Sequence, residues 1–431
     1  METAELYQLF LQHPVVTTDT RDCPPDSLFF ALRGETFDGN RFADQALKAG
    51  CAYAIVDDAE VARTNPHFIL VDDTLKALQE LARYHRRLLG LPVIQITGTN
   101  GKTTTKELVS TVLSEKYKVL FTQGNFNNHI GVPKTLLRLS ETDEIAVVES
   151  GANHPGEIAT LARIIDADYG LITNIGKAHL EGFGSYEGVI RTKGELFDFL
   201  RTKQGSRIFL HADNPILQPI AHDLPAYTYG APAHDFDIEG EVVACNPYLQ
   251  LRWRKRGDNW HVVQTRLVGA YNLENVLAAA AVGTYFKVSP EQIDHALEHY
   301  QPTNHRSELM QTEHNRLIVD AYNANPTSMA AAVENFRLME HPKKLAILGA
   351  MRELGEAEAE EHQSLIDRLH TLSDTEVWLV GEEFAPFAGD YRLFADYDDV
   401  KRYLEAHPVA DHLILIKGSN SNRLYLLPPL L

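Results

Sequence analysis

From Val93 onward, short apolar runs alternate with amphipathic segments. "VIQIT" (93–97), "EIAVVES" (144–150) and "YGLITNIG" (169–176) have strand length and predict buried strands. After the first of them, Leu108, Val109, Val112 and Leu113 recur at helical spacing and predict one apolar helix face. Past about residue 300 the alternation restarts with "RLIVDAY", "KLAILGAM", "EVWLV" and "HLILIKG". Residues 1–90 read as a helix-like start, then "DSLFFALRG", then "FADQALKAGCAYAIVDD" in a helix–glycine–strand pattern, with "LGLPV" (89–93) as a linker. Strand–helix alternation predicts an α/β protein with parallel sheets covered on both faces. Ligands of such sheets sit at the carboxyl ends of strands. The run "EAEAEE" (356–361) predicts a solvated first helical turn, its charges favoured by the helix dipole.

Length and charge narrow the picture. At 431 residues the chain is about as long as three domains of roughly 150 residues. The 40 Lys and Arg against 59 Asp and Glu leave a formal charge of −19, which argues against a nucleic-acid binder. A few local cations can still hold an anionic ligand. Cys23, Cys51 and Cys245 are scattered without metal-ligand spacing and read as reduced thiols. The N-terminus shows no signal-peptide pattern, and no window approaches the roughly 18 apolar residues of a membrane span. A cytoplasmic protein without membrane insertion is expected.

The candidate chemistry starts at "GTNGKTTTKE". Gly98, Thr99, Asn100, Gly101, Lys102, Thr103 and Thr104 lie between a predicted strand and a predicted helix, the context of a phosphate-binding loop. Glycines let backbone N–H groups approach phosphate oxygens, and the helix N-terminus adds partial positive charge. Lys102 would neutralise phosphate, and the Thr103 hydroxyl would take a Mg²⁺ position. The loop is shorter than the common one, and ordinary strand–turn–helix units also contain Gly-Lys-Thr; alone it names no reaction. Glu149 ends a predicted strand, as a Mg²⁺ ligand or an ordinary strand-end acid would. His179 on a glycine-rich loop and Lys193 on the next helix would, singly, be unremarkable surface residues.

Together the motifs are specific. "GTNGKTTTKE", "GNFNNHIGVPKTLL", "ESGANHPGEI", "AHLEGFGSYEGVIRTKGELF", "GAYNLENVLAA", "NHR" and "DAYNANPTSM" follow one another as in the Mur ligases of peptidoglycan precursor synthesis. "TDTR" and "LFFALRGETFDGNRFADQA" resemble that family's UDP-binding segment. The resemblance thins at 205–260 and 370–410. It is strongest to the member that adds D-alanyl-D-alanine to UDP-N-acetylmuramoyl-tripeptide. The implied fold has a small N-terminal α/β domain (1–90) for the UDP-substrate, a central P-loop-type parallel sheet (91–303) for ATP, and a C-terminal Rossmann-like domain (304–431) for the dipeptide. By the same resemblance Lys102 holds the ATP phosphates, and Thr103 and Glu149 bind one Mg²⁺. His179 binds a second, with Lys193 carbamylated. Asn272, Asn275, Arg306 and Asp320 serve the nucleotide, with Arg306 near the γ-phosphate. Thr20 and Arg21 serve the uridine nucleotide, and Asn127, Asn128, Asn323 and Asn325 face substrate. A monomer is expected.

Two positions depart from the family pattern. Ala350 stands where "GDMxELG" has an acid, and Tyr271 where a histidine often precedes "NLEN". The implied chemistry is phosphoryl transfer from ATP to the tripeptide carboxylate, then attack by the dipeptide amine on the acyl phosphate. Charge accumulates in both steps, so cations are the expected equipment. The sister ligase that adds the third amino acid would carry "DNPR", which this chain lacks. Folylpolyglutamate synthetase shares the loop without the uridine-nucleotide segment. A non-catalytic nucleotide switch would not need Glu149, His179, Lys193, Arg306 and Asp320 together.

Overall fold

A computed structural model describes residues 1–302 and 308–431. Three sheets succeed one another along the chain. The first has four parallel strands in sequential order, Val16–Thr17, Leu28–Phe30, Tyr53–Val56 and Phe68–Leu70. The helix Thr74–Leu89 then carries the chain to the second sheet. Asp73 caps its start by accepting from Lys76 N–H, and Gly90 ends it in a left-handed conformation. Leu78, Leu81 and Ala82 on this helix share one apolar cluster with Phe10 and Phe30 of the first domain and Val93 and Ala146 of the second. The expected linker therefore enters a continuous core, and Leu91 is buried within it.

The second sheet has nine strands. Its parallel part runs Val119–Phe121, Ile145–Glu149, Val93–Thr97, Tyr169–Ile172, Arg207–His211, Ala226–Gly230 and Ile238–Cys245 in spatial order. Alternation within each strand sends Ile94, Ile96 and Val147 to the face covered by helices Lys102–Ser114 and Asn272–Tyr285. Val93, Ala146 and Val148 go to the opposite face, under Glu157–Ile165 and Tyr186–Arg201. The expected parallel sheet is extended at one edge. Ile238–Cys245, Tyr248–Lys255 and His261–Val268 form an antiparallel meander at one edge. Their two-residue alternation, with Leu249, Leu251 and Trp253 inward, is that of a sheet covered on one face.

The third sheet runs Glu308–Gln311, Arg316–Asp320, Leu413–Lys417, Lys344–Gly349, Thr375–Val380 and Arg392–Phe394, parallel except for the first strand. Ala346, Leu348 and Leu415 pack under helices Pro326–Leu338 and Glu358–Leu369. Leu345, Ile347, Ile414 and Ile416 pack on Val400 and Leu404 of helix Tyr397–Ala406. The "EAEAEE" run differs from expectation at its last residue. Glu356, Glu358, Ala359 and Glu360 are exposed as expected, whereas Glu361 is buried and pairs with Lys177 of the second domain at 2.5 Å. Among the described residues no helix is long and apolar enough to cross a membrane.

Candidate functional site

The carboxyl ends of strands in the second and third sheets open into one cleft of about 1320 Å³, with Leu75 and Gln79 of Thr74–Leu89 at its edge. The loop after Val93–Thr97 forms its floor. Gly98 (φ 145°) and Gly101 (φ 77°) hold conformations that side chains disfavour. A Cβ at Gly98 would lie 2.0 Å from Thr173 Oγ1, and one at Gly101 2.5 Å from Asn275 Oδ1. The next strand's end holds the loop in place. Thr99 N–H donates to Asn174 O at 2.9 Å, and Asn100 N–H to Asn174 Oδ1 at 3.0 Å. Thr173 Oγ1 donates in return to Asn100 O at 2.6 Å. Lys102 opens helix Lys102–Ser114, and its Nζ curls back to Gly98 O (2.8 Å) and Thr99 O (3.0 Å). Thr99, Asn100, Gly101, Lys102 and Thr104 line the cleft; Gly98 and Thr103, the latter 5% exposed, adjoin these residues in the loop.

Glu149 ends its strand at the cleft, 1% exposed. Its Oε1 accepts from Asn127 Nδ2 at 2.9 Å, while Oε2 is buried without a hydrogen-bond partner. A buried carboxylate oxygen left unpaired is costly and suits a cation ligand. Asn128 lines the same wall and accepts from Gly131 N–H at 2.8 Å, where helix Gly131–Leu136 begins.

Lys193, on helix Tyr186–Arg201, ends just behind the wall at Ala152, whose carbonyl is 3.5 Å from Nζ. Among the described residues no carboxylate forms an ion pair with it. Glu195 accepts instead from Gly156 and Ala159 N–H, and Glu157 from Asn153 and His154 N–H. Burial pushes the Lys193 amine well below the usual lysine range, and nearby Lys102 adds to the shift. His179 lines the cleft in a left-handed conformation (φ 51°), its Nδ1 hydrogen-bonded to Glu353 of the third domain. Burial lowers its pKa despite that carboxylate. Among the described residues no three His, Cys, Asp or Glu groups converge to hold a metal ion by themselves.

Asn272 and Asn275 are largely buried and line the cleft beside the loop. Asn275 Nδ2 donates to Asn272 Oδ1 at 2.8 Å, and its Oδ1 accepts from Thr105 Oγ1 at 3.0 Å. Asp320 ends the strand Arg316–Asp320 at the cleft, paired at 2.6 Å with the buried Lys417. Sequence reasoning passed over Lys417; its place at the end of "HLILIKG" was the available signal. Asn323 lines the cleft and is exposed, with its carbonyl accepting from Lys417 Nζ at 3.3 Å. Asn325 instead caps helix Pro326–Leu338, accepting from Ser328 N–H at 2.9 Å, and donates to Asn100 Oδ1 at 2.7 Å. Asn325→Ala should therefore lower stability by about 1 kcal/mol, read as a fall in the urea midpoint. Thr20 and Arg21 are not among the cleft-lining residues. Arg21 is exposed and bonded to Asp19, whose pKa that guanidinium lowers to about 2. Arg306 lies outside the described residues.

The two departures have local explanations. Ala350 is fully buried in the third domain's core, and a Cβ at Gly381 would meet its methyl at 2.6 Å. The Tyr271 ring packs over Gly269, where a Cβ would lie 2.4 Å from the ring.

Three family models match in order: the Mur ligase family catalytic domain at 14–86, the Mur ligase middle domain at 96–283 and the Mur ligase glutamate ligase domain at 305–420. The UDP-N-acetylmuramoyl-tripeptide–D-alanyl-D-alanine ligase of Bacillus subtilis is 37% identical over 95% of this chain and 91% of its own. The crystal structure of MurF from Acinetobacter baumannii superposes with a TM-score of 0.87 at 30% identity, covering 97% of this chain and 96% of that one. MurF from Thermotoga maritima, solved in complex with ADP, gives 0.85 at 26% identity, covering 97% of each chain. The chain belongs to the Mur ligase family.

Proposed function

We propose that the chain is an ATP-dependent ligase that joins D-alanyl-D-alanine to UDP-N-acetylmuramoyl-tripeptide in the cytoplasm. The observation that carries this reading is the convergence on one cleft of a glycine loop, an unpaired buried carboxylate oxygen and polar residues of the third sheet. Domains 1–90, 91–303 and 304–431 hold the UDP-substrate, ATP and the dipeptide respectively. Lys102 and the loop N–H groups draw the ATP phosphates against the helix N-terminus. The tripeptide carboxylate attacks the γ-phosphorus, the bond to ADP breaks, and an acyl phosphate forms. The dipeptide amine then attacks the acyl carbon, phosphate departs with the bonding pair, and the amine's proton passes to solvent or phosphate. Lys102 offsets charge in both steps.

Two Mg²⁺ ions fit the residues present. Glu149 Oε2 and the Thr103 hydroxyl would hold one. His179 and Lys193, the latter as a carbamate, would hold the other, with the remaining ligands supplied by phosphate and water. Such ions neutralise and orient phosphate oxygens. Carbamylation requires a neutral amine, the form that desolvation of Lys193 favours.

Release of phosphate from ATP should require both the UDP-tripeptide and the dipeptide, and the product mass should equal their sum less water. Substrate choice follows from Asn323, a neutral amide at the cleft where a second charged centre would call for a charged partner. The enzyme should accept D-alanyl-D-alanine and reject free diaminopimelate and lysine. Ligation of either free amino acid to the UDP-dipeptide precursor, followed by mass spectrometry, would overturn the reading. Asn323→Ala should raise KM for the dipeptide more than for ATP, measured by initial rates.

A further inference from the structure

We propose that Glu353 is a positioning residue. By accepting the Nδ1 hydrogen of His179 across the junction of the second and third domains, it presents Nε2 to the cleft and makes the cation site depend on docking of the third domain. The inference rests on the reading of His179 as a metal ligand.

The bond direction follows from chemistry. A carboxylate only accepts, so the Nδ1 facing Glu353 carries the hydrogen, and Nε2 of a neutral ring is left with its lone pair. His179 lines the cleft while its Nδ1 is engaged outside it. The neutral Nδ1–H form is the one a cation can use, and a carboxylate behind the ring fixes its orientation.

The third domain holds Glu353 in place. Met351 N–H donates to Nε2 of the buried His362 at 3.1 Å, and His362 Nδ1 donates to Glu358 O at 2.8 Å. Leu354 is buried in the third domain's core, and Arg352 pairs with Glu383. A second tie crosses the junction, from Glu181 N–H to Glu353 O at 3.2 Å. His179 and Glu353 both have left-handed backbones, with φ of 51° and 60°. Non-glycine residues persist there only where their surroundings fix them, and here both sit at the one contact. "GAMRELG" drew notice for Ala350, yet Glu353 is its residue at the cleft junction.

The test uses full-length protein labelled with ¹⁵N at histidine, the His179 signal being assigned by its loss in His179→Ala. Metal-free wild type should show His179 as the Nδ1–H tautomer, and Glu353→Ala should shift it toward Nε2–H. Glu353→Gln, whose amide oxygen still accepts, should keep the wild-type tautomer. Mn²⁺ affinity in the presence of ADP, measured by electron paramagnetic resonance, should fall about 10-fold or more in Glu353→Ala and much less in Glu353→Gln. An unchanged His179 tautomer in a folded Glu353→Ala would overturn the proposal. Unchanged Mn²⁺ affinity in His179→Ala would instead overturn the metal-ligand reading, and the tautomer result would stand apart from it.

Discussion

Replacing Lys102 with alanine should cut ligation at least about 100-fold, a barrier increase on the order of 3 kcal/mol, without weakening UDP-substrate binding. Nζ lies over the carbonyls of Gly98 and Thr99, the one charged group on a loop otherwise made of amides, hydroxyls and glycine. Phosphoryl transfer and acyl-phosphate collapse both build negative charge there, and a neutral methyl cannot answer it. Folding should survive, because alanine favours a helix start and Lys102 is only half-buried. The described hydrogen bonds of Nζ are to the loop's own carbonyls, while Arg21 of the first domain is bonded to Asp19. Calorimetric titration with UDP-N-acetylmuramoyl-tripeptide should give a near wild-type Kd, while phosphate release falls to background. Turnover near the wild-type rate would remove the loop from the mechanism.

What the sequence disclosed, and what it withheld, follows from the range of each interaction. The strands Val93–Thr97 and Ile145–Glu149 and the helix face of Leu108 and Val112 were legible because burial on a sheet or helix imposes a local period. Glu149 and Asp320 could be placed at strand ends by the same logic, and Lys417 would have followed had it been applied to "HLILIKG". The meander 238–268 was missed because the family motifs thin there, although its alternation was present. Contacts between domains had no local signature. His179 with Glu353, Lys177 with Glu361 and Asn100 with Asn325 are separated by 174, 184 and 225 residues. Those contacts set which polar atoms face the cleft. Asn325 shows the consequence: the helix cap and the junction to the loop engage it together, leaving Asn323 as the cleaner probe of the dipeptide.

The other large effect is expected at Lys193. The residue is 2% exposed, and its amine donates to the Ala152 carbonyl at 3.5 Å. Burial pushes the pKa of a charged ammonium there well down, which favours the neutral amine. Such an amine attacks CO₂ at carbon, forming the N–C bond and releasing a proton, and the product is a carboxylate where the cation site needs one. In ¹³C-bicarbonate with Mg²⁺ and ADP, wild type should show a carbamate signal that is absent in Lys193→Ala. That variant should be nearly inactive and partly rescued by formate or acetate. The stability sign is fixed independently. Between the depressed folded pKa and the ordinary lysine value, the unfolded chain binds a proton that the folded chain does not, so stability rises with pH across that window. In bicarbonate-free buffer at neutral pH, Lys193→Met removes this cost and should be more stable by about 1 kcal/mol, with the gain shrinking toward the ordinary lysine pKa. A melting temperature raised in the inactive variant, together with chemical rescue of Lys193→Ala, would separate a residue kept for chemistry from one kept for packing. A carbamate signal that persists in Lys193→Ala, or full activity in that variant, would overturn the assignment.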